Sequence, residues 1–228
     1  TKIVNKYKLS VIYDSAHAFA VKKNKKSILN EGDLSVLSFH ATKVFNTFEG
    51  GAIVSHTAEM KKKIDDLKNF GFQDQITVEG IGINGKMNEV QTAMGLLQLK
   101  YINSAIDKRK KIIEIYRNAL EEVDGIQFFN DIEGVKHNYA YFPVFINELE
   151  YGKSRDEVYE ELKKHNIYGR RYFYPLINQF SAYKSLPSTE SENLIVAEKM
   201  SNEVICLPVY PDLDHADVER IIEILNTL

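Results

Sequence analysis

The sequence predicts an α/β fold in which a strand-rich first section precedes a compact α+β unit. Three short apolar runs, residues 9–13, 34–39 and 51–55, are typical of buried strands. Apolar residues then recur with helical spacing in residues 58–70 and 88–120. Short strands and helices alternate through the rest of the chain, which indicates a separate α+β unit.

The first section carries several local signals. Residues 2–7 resemble the end of a helix, so the chain is expected to begin within a fold. The lysine-rich residues 22–26 predict a solvated turn. In the long second helix the pair Asn103-Ser104 predicts a break or a kink, and residues 107–111 are interpreted as a solvated face and not as a phosphate site. The same helix is expected to carry one apolar stripe, formed by Val90, Ala93, Met94, Leu97 and Tyr101.

The second section is expected to contain strands and helices in close succession. In chain order these are strands 126–129 and 139–146, helix 154–165, strand 168–172, helix 191–202, strand 204–207 and helix 215–228. Ser154 and Asp214 are suitable helix N-caps, because hydroxyl and carboxylate oxygens accept hydrogen bonds from the first backbone N–H groups of a helix.

Composition restricts the classes of function. The formal charge of -3 argues against a broad basic surface, so nucleic acid and membrane are not expected as partners, although a local basic pocket is compatible with it. Cys206 is the single cysteine and lies in an apolar run, which predicts a buried strand. No apolar run approaches the roughly 20 residues that span a bilayer, which favours the cytoplasm. No metal site is predicted.

Asp14 comes directly after the apolar run that ends at Tyr13. Open α/β sheets place ligand-contacting residues at such strand ends. A carboxylate in this position also suits a turn or a helix N-cap, so both interpretations stay open from Asp14 alone.

Lys43 lies in a loop of small and polar residues between two predicted strands. An isolated lysine is usually a solvated surface residue. Chemistry with pyridoxal phosphate (PLP) needs a lysine amine that bonds to the cofactor, an acid that keeps the pyridine nitrogen protonated, and a cradle for the phosphate. Three segments of the chain offer such groups.

The segment from Ser38 to Lys43 reads Ser-Phe-His-Ala-Thr-Lys, and Glu-Gly-Gly follows at residues 49–51. Together with Asp14 at a strand end, this pattern closely resembles the DegT/DnrJ/EryC1/StrS family of sugar aminotransferases. The resemblance implies a partial PLP-dependent transferase fold of type I. Residues 1–105 would form the C-terminal part of the PLP-binding large domain, and residues 106–228 a small α+β domain.

The resemblance also implies the roles of the cofactor-binding residues. Asp14 would pair with the pyridinium nitrogen, and Ser38 would bind the cofactor phosphate. Lys43 would form the Schiff base and shuttle a proton; dehydratases of the family have histidine there, so this lysine argues for transamination. His17 matches a position that contacts the cofactor ring or its 3-hydroxyl, and a packing histidine is the alternative.

Two further segments resemble parts of the family site. Asn84 matches an asparagine that reaches the cofactor phosphate of the neighbouring subunit, which implies a homodimer with a shared active site; a flexible turn at residues 80–85 is the alternative. Arg170 and Arg171 match a substrate-side strand and loop, where forked guanidinium donors suit diphosphate or carboxylate groups. Neighbours on a strand face opposite sides, so only one arginine is expected to meet the substrate.

The implied function is an aminotransferase that moves an amino group from glutamate, through PLP, to a keto sugar nucleotide, with a dTDP-linked 6-deoxy keto hexose as the expected substrate. A keto inositol is a rival substrate. The family keeps further cofactor-binding groups in an N-terminal part that does not match these residues, so the chain is expected to be a fragment. The alternative is a truncated, non-catalytic relative that acts as a dimer partner or vestigial binding module. Strands left without neighbours would favour self-association.

Overall fold

A computed structural model describes residues 2–228, apart from the side chain of Ser191. The chain divides into two compact units. Unit 1 consists of residues 2–104 and Ile132–Asn138, and unit 2 of Ala105–Asp131 and Tyr139–Leu228. Both contain helices and strands, which confirms the predicted α/β class. The division into a PLP-binding part at residues 1–105 and a small domain at 106–228 stays a prediction.

Unit 1 contains a three-stranded sheet in which β4 (Leu34–Ser38) lies between β1 (Ile12–Asp14) and β5 (Gly51–Ser55). β1 is parallel to β4, and β5 is antiparallel to it. β1 begins later than the predicted run at residues 9–13: Val11 N donates a hydrogen bond to the Asp33 carboxylate at 2.6 Å, and Val11 O accepts from Asp33 N and Leu34 N. β1 ends at Asp14, the position that the sequence predicts for a ligand-contacting residue.

The lysine-rich segment predicted as a solvated turn forms part of a second sheet in unit 1. β2 (Lys22–Lys23) pairs antiparallel with β3 (Lys26–Ser27) and with a strand from later in the chain, β7 (Val135–Lys136). The residues between β2 and β3 are Asn24 and Lys25, with φ angles of 49° and 65°. Two successive positive φ angles are typical of the type I′ turn that closes tight hairpins.

Three helices begin in unit 1: α1 (Lys2–Tyr7), α2 (Ala58–Lys68) and α3 (Glu89–Leu120). The expected break in α3 is wrong, because the helix is continuous from Glu89 to Leu120, whereas the alternative of a kink stays a prediction. Ile102 and Ile106, one turn apart on either side of the Asn103-Ser104 pair, are both buried on the same face, which favours a continuous helix.

The apolar stripe expected at the start of α3 is largely exposed. Val90, Leu97 and Tyr101 expose 73%, 49% and 63% of their surface. Helical spacing was correctly predicted for these residues, but their burial within this chain was not.

Unit 2 is built on an antiparallel sheet in which β8 (Phe142–Ile146) lies between β6 (Ile126–Phe128) and β9 (Val204–Leu207). Its other helices are α4 (Glu148–Tyr151), α5 (Arg155–Lys164), α6 (Ile195–Glu203) and α7 (His215–Thr227). Short 3-10 turns lie at Ile177–Gln179, Pro187–Thr189 and Ser191–Asn193, and unit 1 contains another at Ile28–Asn30. The predicted caps are confirmed: Ser154 forms a capping box with Glu157, and Asp214 accepts a hydrogen bond from Ala216 N.

The core of unit 2 is formed by side chains of α3, α5 and α7 and of strands β8 and β9 that are almost inaccessible to solvent. These include Ile113, Tyr116, Leu120, Val144, Ile146, Val158, Leu162, Ile205, Val218 and Leu225. Cys206 is buried as predicted, and its burial raises the pKa of the thiol to about 11.

Two expectations for unit 2 are corrected. Residues 168–172 do not form a strand; they make a single bridge, between Arg170 and Cys206. Arg109 does not belong to a solvated face, because its guanidinium donates to the carbonyls of Ala140 and Val209 at 3.2 and 2.8 Å. Partial burial lowers the pKa of Arg109. No helix in the described part of the chain is long and apolar enough to span a membrane.

Candidate active site

Asp14 ends β1 and turns the chain into the loop that carries His17. Its Oδ1 accepts a hydrogen bond from Ala16 N at 3.1 Å, which is the turn role that the sequence left open. Ser15 N donates to Val36 O at 2.8 Å and prolongs the contact with β4. Asp14 pairs in register with Val36, and side chains alternate along β4, so Asp14, Val36 and Ser38 share one face of the sheet.

Lys43 lies in the loop that joins β4 to β5. Lys43 N donates to His40 O and Thr47 N donates to Phe39 O, both at 2.9 Å, so the loop is folded back on itself. At its end Gly51 has no room for a side chain, because a Cβ there would lie 2.7 Å from Leu37 O. The lysine is therefore held on a short, anchored loop at the carboxyl end of β4.

Lys43 and His17 meet across 26 residues of sequence. Lys43 Nζ lies 3.0 Å from His17 Nε2, a hydrogen-bond distance. Partial burial, and next the charge of Lys43, lower the pKa of His17, whereas the carboxylate of Asp14 raises it. The net direction is downward, which favours a neutral imidazole beside the lysine amine.

Three phenylalanines, Phe19, Phe39 and Phe45, join the two loops. The rings of Phe19 and Phe45 stack with centroids 4.2 Å apart, and the ring of Phe39 meets that of Phe45 edge-on at 4.8 Å. Each phenylalanine lies one or two residues after a candidate site residue. No role was predicted for these phenylalanines, although each lies within two residues of a candidate site residue.

Asn138 also fixes the His17 loop and was missed from sequence. Its side chain is buried and donates through Nδ2 to the carbonyl oxygens of His17 and Phe19 at 2.8 and 2.9 Å. A single asparagine 121 residues from His17 gives no sequence signal for this contact.

The remaining candidates of unit 1 lie in two different surroundings. Ser38 Oγ accepts a hydrogen bond from His40 N at 3.3 Å, within the Lys43 loop. Asp14 and His17 line a cavity of about 510 Å³. Asn84 is exposed and lines another cavity, of about 890 Å³, together with Gly51 and Lys86. Within unit 1, Asn84 therefore does not join the group formed by Asp14, His17 and Lys43.

Arg170 and Arg171 belong to unit 2 and have different environments. Arg171 forms an ion pair with Asp156 at 2.9 Å, and its guanidinium lies 4.4 Å from the ring centroid of Tyr159. Arg170 is exposed and donates a hydrogen bond to the hydroxyl of Tyr172. Of the two arginines that the sequence left as candidates for substrate binding, Arg171 already has a carboxylate partner in Asp156.

The sequence of this chain is similar to those of known proteins. The family model described as the DegT/DnrJ/EryC1/StrS aminotransferase family matches residues 1–226. The dTDP-4-amino-4,6-dideoxy-D-glucose transaminase of Shigella dysenteriae is 45% identical over 226 residues, which is 99% of this chain and 61% of the relative. The protein of the same name from Escherichia coli is 45% identical over 225 residues, 98% of this chain and 60% of the relative.

Solved structures give the same result for the fold. DesI, determined in the presence of its TDP-sugar product, matches with a TM-score of 0.87 and 31% identity, over 99% of this chain and 57% of that one. PseC of Helicobacter pylori, an aminotransferase, matches with a TM-score of 0.89 and 27% identity, over 99% of this chain and 61% of that one. The chain spans about three fifths of the length of the curated relatives, so its fold is a partial PLP-dependent transferase fold.

Aminotransferases of this family use PLP. The motif that contains Lys43, the strand-end Asp14 and the match over nearly the whole sequence lead to one conclusion. The chain belongs to the DegT/DnrJ/EryC1/StrS aminotransferase family.

Proposed function

We propose that the protein is a PLP-dependent aminotransferase that moves an amino group from glutamate to a keto sugar nucleotide. The observation that carries this proposal is the 3.0 Å contact between Lys43 Nζ and His17 Nε2. Membership of the family supports the reaction type, and the names of the two relatives at 45% identity support a dTDP-linked 6-deoxy sugar as substrate.

The chemistry of the donor set fits PLP. Lys43 offers a primary amine, Asp14 a carboxylate for a ring nitrogen, and Ser38 a hydroxyl on the same sheet face as Asp14. When bound, PLP supplies an aldehyde for covalent attachment and an aromatic ring that withdraws electrons from the substrate carbon.

His17 can orient the Lys43 amine. The lowered pKa of His17 favours a neutral ring, so Nε2 can accept a hydrogen bond from Lys43 Nζ and hold that atom in place. Lys43 Nζ would be the atom that holds a bound cofactor covalently and carries the proton between the reacting carbons, and the Asp14 carboxylate would keep the ring nitrogen protonated.

The remaining site residues complete the proposal. Asn84 would contact the cofactor phosphate of a second copy, which makes the working enzyme a homodimer with a shared site. Its separation from the Asp14 cavity within unit 1 supports a role outside its own chain's group. Of the two arginines, Arg170 is the one proposed to meet the substrate, because Arg171 is paired with Asp156.

The first test is the absorption spectrum with added PLP. We expect a visible band from the covalent lysine adduct in the wild-type chain and only the spectrum of free PLP in Lys43→Ala. Lys63→Ala, which removes an exposed lysine from α2, is the matched control and should keep the band. A spectrum of free PLP in the wild-type chain would contradict catalysis by this chain and favour a non-catalytic binding module.

The second test concerns the substrate. Glutamate and a panel of keto compounds should give 2-oxoglutarate fastest with a dTDP-linked 6-deoxy keto hexose. Faster turnover of a keto inositol would contradict the proposed substrate class while leaving the aminotransferase assignment intact.

A further inference from the structure

The sheet formed by β2, β3 and β7 carries an unusual concentration of positive charge. Five exposed lysines lie on three very short strands and one turn: Lys22, Lys23, Lys25, Lys26 and Lys136. In the part of the chain that the structure describes, no carboxylate forms an ion pair with any of them. Glu133, next to β7, is likewise not in an ion pair with them.

Strand register places the like charges directly opposite one another. Lys22 pairs with Lys136 across β2 and β7, and Lys23 pairs with Lys26 across β2 and β3. Directly opposed like charges destabilise a strand pair, so a bound anion would remove an unfavourable interaction as well as add a favourable one.

One face of this sheet forms a pocket. Lys22, Lys25 and Lys136 line a cavity of about 430 Å³ together with Gly134 and Val135. The tip of the hairpin is fixed against this wall, because Asn24 N donates to Gly134 O at 2.8 Å. A Cβ on Gly134 would lie 2.7 Å from Asn24 Oδ1. The three ammonium groups are therefore carried by a backbone that is already in place before a ligand arrives.

The pocket adjoins the candidate active site within unit 1. Val135 lines both the lysine pocket and the cavity that contains Asp14 and His17. Lys23, on the other face of β2, also lines that second cavity. Positive charge thus extends from the edge of the candidate site to the lysine pocket.

We propose that Lys22, Lys25 and Lys136 bind the diphosphate group of the nucleotide-linked substrate. The choice of a diphosphate rests on the proposed function, whereas an anion site as such rests on the charges and the register alone. A diphosphate carries at least two negative charges and several acceptor oxygens, which matches three ammonium groups that line one cavity.

The test compares dTDP, thymidine and inorganic phosphate as ligands of the 228-residue chain in calorimetric titrations. We expect dTDP to bind more tightly than phosphate, and thymidine not to bind measurably. The triple variant Lys22→Gln, Lys25→Gln, Lys136→Gln should weaken dTDP binding about tenfold or more. Raising the salt concentration should weaken binding to the wild-type chain.

The matched control removes three exposed lysines elsewhere: Lys100→Gln, Lys111→Gln and Lys184→Gln. It should leave the affinity for dTDP within about twofold of wild type. Equal weakening by both triple variants, or equal affinity for dTDP and thymidine, would overturn the proposal. Equal affinity for phosphate and dTDP would overturn the diphosphate assignment. Circular dichroism of both variants, and the single variants Lys22→Gln and Lys136→Gln, separate lost binding from lost folding.

The visible absorption band with PLP tests the proposed aminotransferase function independently of the proposed anion site. The lysine-pocket variant should keep the band that depends on Lys43. A wild-type chain without the band but with lysine-dependent dTDP binding would contradict the aminotransferase assignment and leave the anion site standing.

Discussion

The two units bury their strands to very different degrees. In unit 2 all four residues of β9 are buried, and β8 alternates between buried and half-buried residues. In unit 1 all three residues of β1 are exposed, and the isoleucines Ile12 and Ile53 expose 63% and 47% of their surface. Unit 2 therefore has a deep apolar core, whereas several apolar side chains on the strands of unit 1 are exposed to solvent.

This difference in burial indicates which contacts position the residues of the candidate site. His17 and Lys43 lie in the unit with the more open sheet, so their positions depend on local contacts and not on a deep core. The stacked rings of Phe19 and Phe45 and the buried Asn138 supply these contacts. The chemistry of the chain thus depends on a few identifiable side chains.

Alanine substitution of one strand isoleucine in each unit should give the largest difference in the free energy of unfolding. Ile205→Ala in β9 removes a side chain with 0% exposure and should lower the free energy of unfolding by about 2–5 kcal/mol. Ile53→Ala in β5 should lower it by less than about 1 kcal/mol, because that side chain is already half exposed. Urea denaturation measures both. Similar losses for the two variants would mean that the open face of unit 1 is covered in solution.

Asn138→Ala tests the local contacts of unit 1. It removes the donor to two backbone carbonyls, those of His17 and Phe19, and should lower the free energy of unfolding by about 1–3 kcal/mol. Asn193→Ala is the control, because Asn193 is exposed and makes one longer hydrogen bond, of 3.4 Å. An equal effect of the two substitutions in urea denaturation would rule out Asn138 as an anchor of the site.

The lowered pKa of His17 predicts a smaller, pH-dependent effect. As the pH falls through 6.5, the unfolded chain binds a proton at this histidine before the folded chain does, so stability decreases. His17→Gln removes this contribution, and the variant should gain stability relative to wild type as the pH is lowered from about 8 to about 5. His56→Gln, at an exposed position, controls for the loss of a histidine. A stability difference that is constant with pH would contradict the lowered pKa.

The sequence was most informative where the signal is local. β5 and β9 have the predicted bounds, and the caps at Ser154 and Asp214 are confirmed, because side-chain alternation and capping depend on adjacent residues. The β2–β3 hairpin was missed because β7, which completes its sheet, comes from much later in the chain.

In the candidate site, too, local sequence patterns allowed predictions and contacts between distant residues did not. The motif residues Asp14, His17, Ser38 and Lys43 were named from the resemblance to the family, and the structure brings His17 and Lys43 into contact. Their roles with the cofactor stay predictions. The contact of Asn138 with the His17 loop could not be predicted, since it joins residues 121 positions apart that share no pattern.

Trapping of the cofactor tests the central claim most directly. The chain is incubated with limiting PLP, reduced with borohydride, digested and examined by peptide mass spectrometry. We predict that the cofactor is attached at Lys43 in preference to the exposed lysines of α2, and that the preference disappears when the chain is unfolded in urea first. Even labelling of the lysines in the folded chain, or no label on Lys43, would contradict the account.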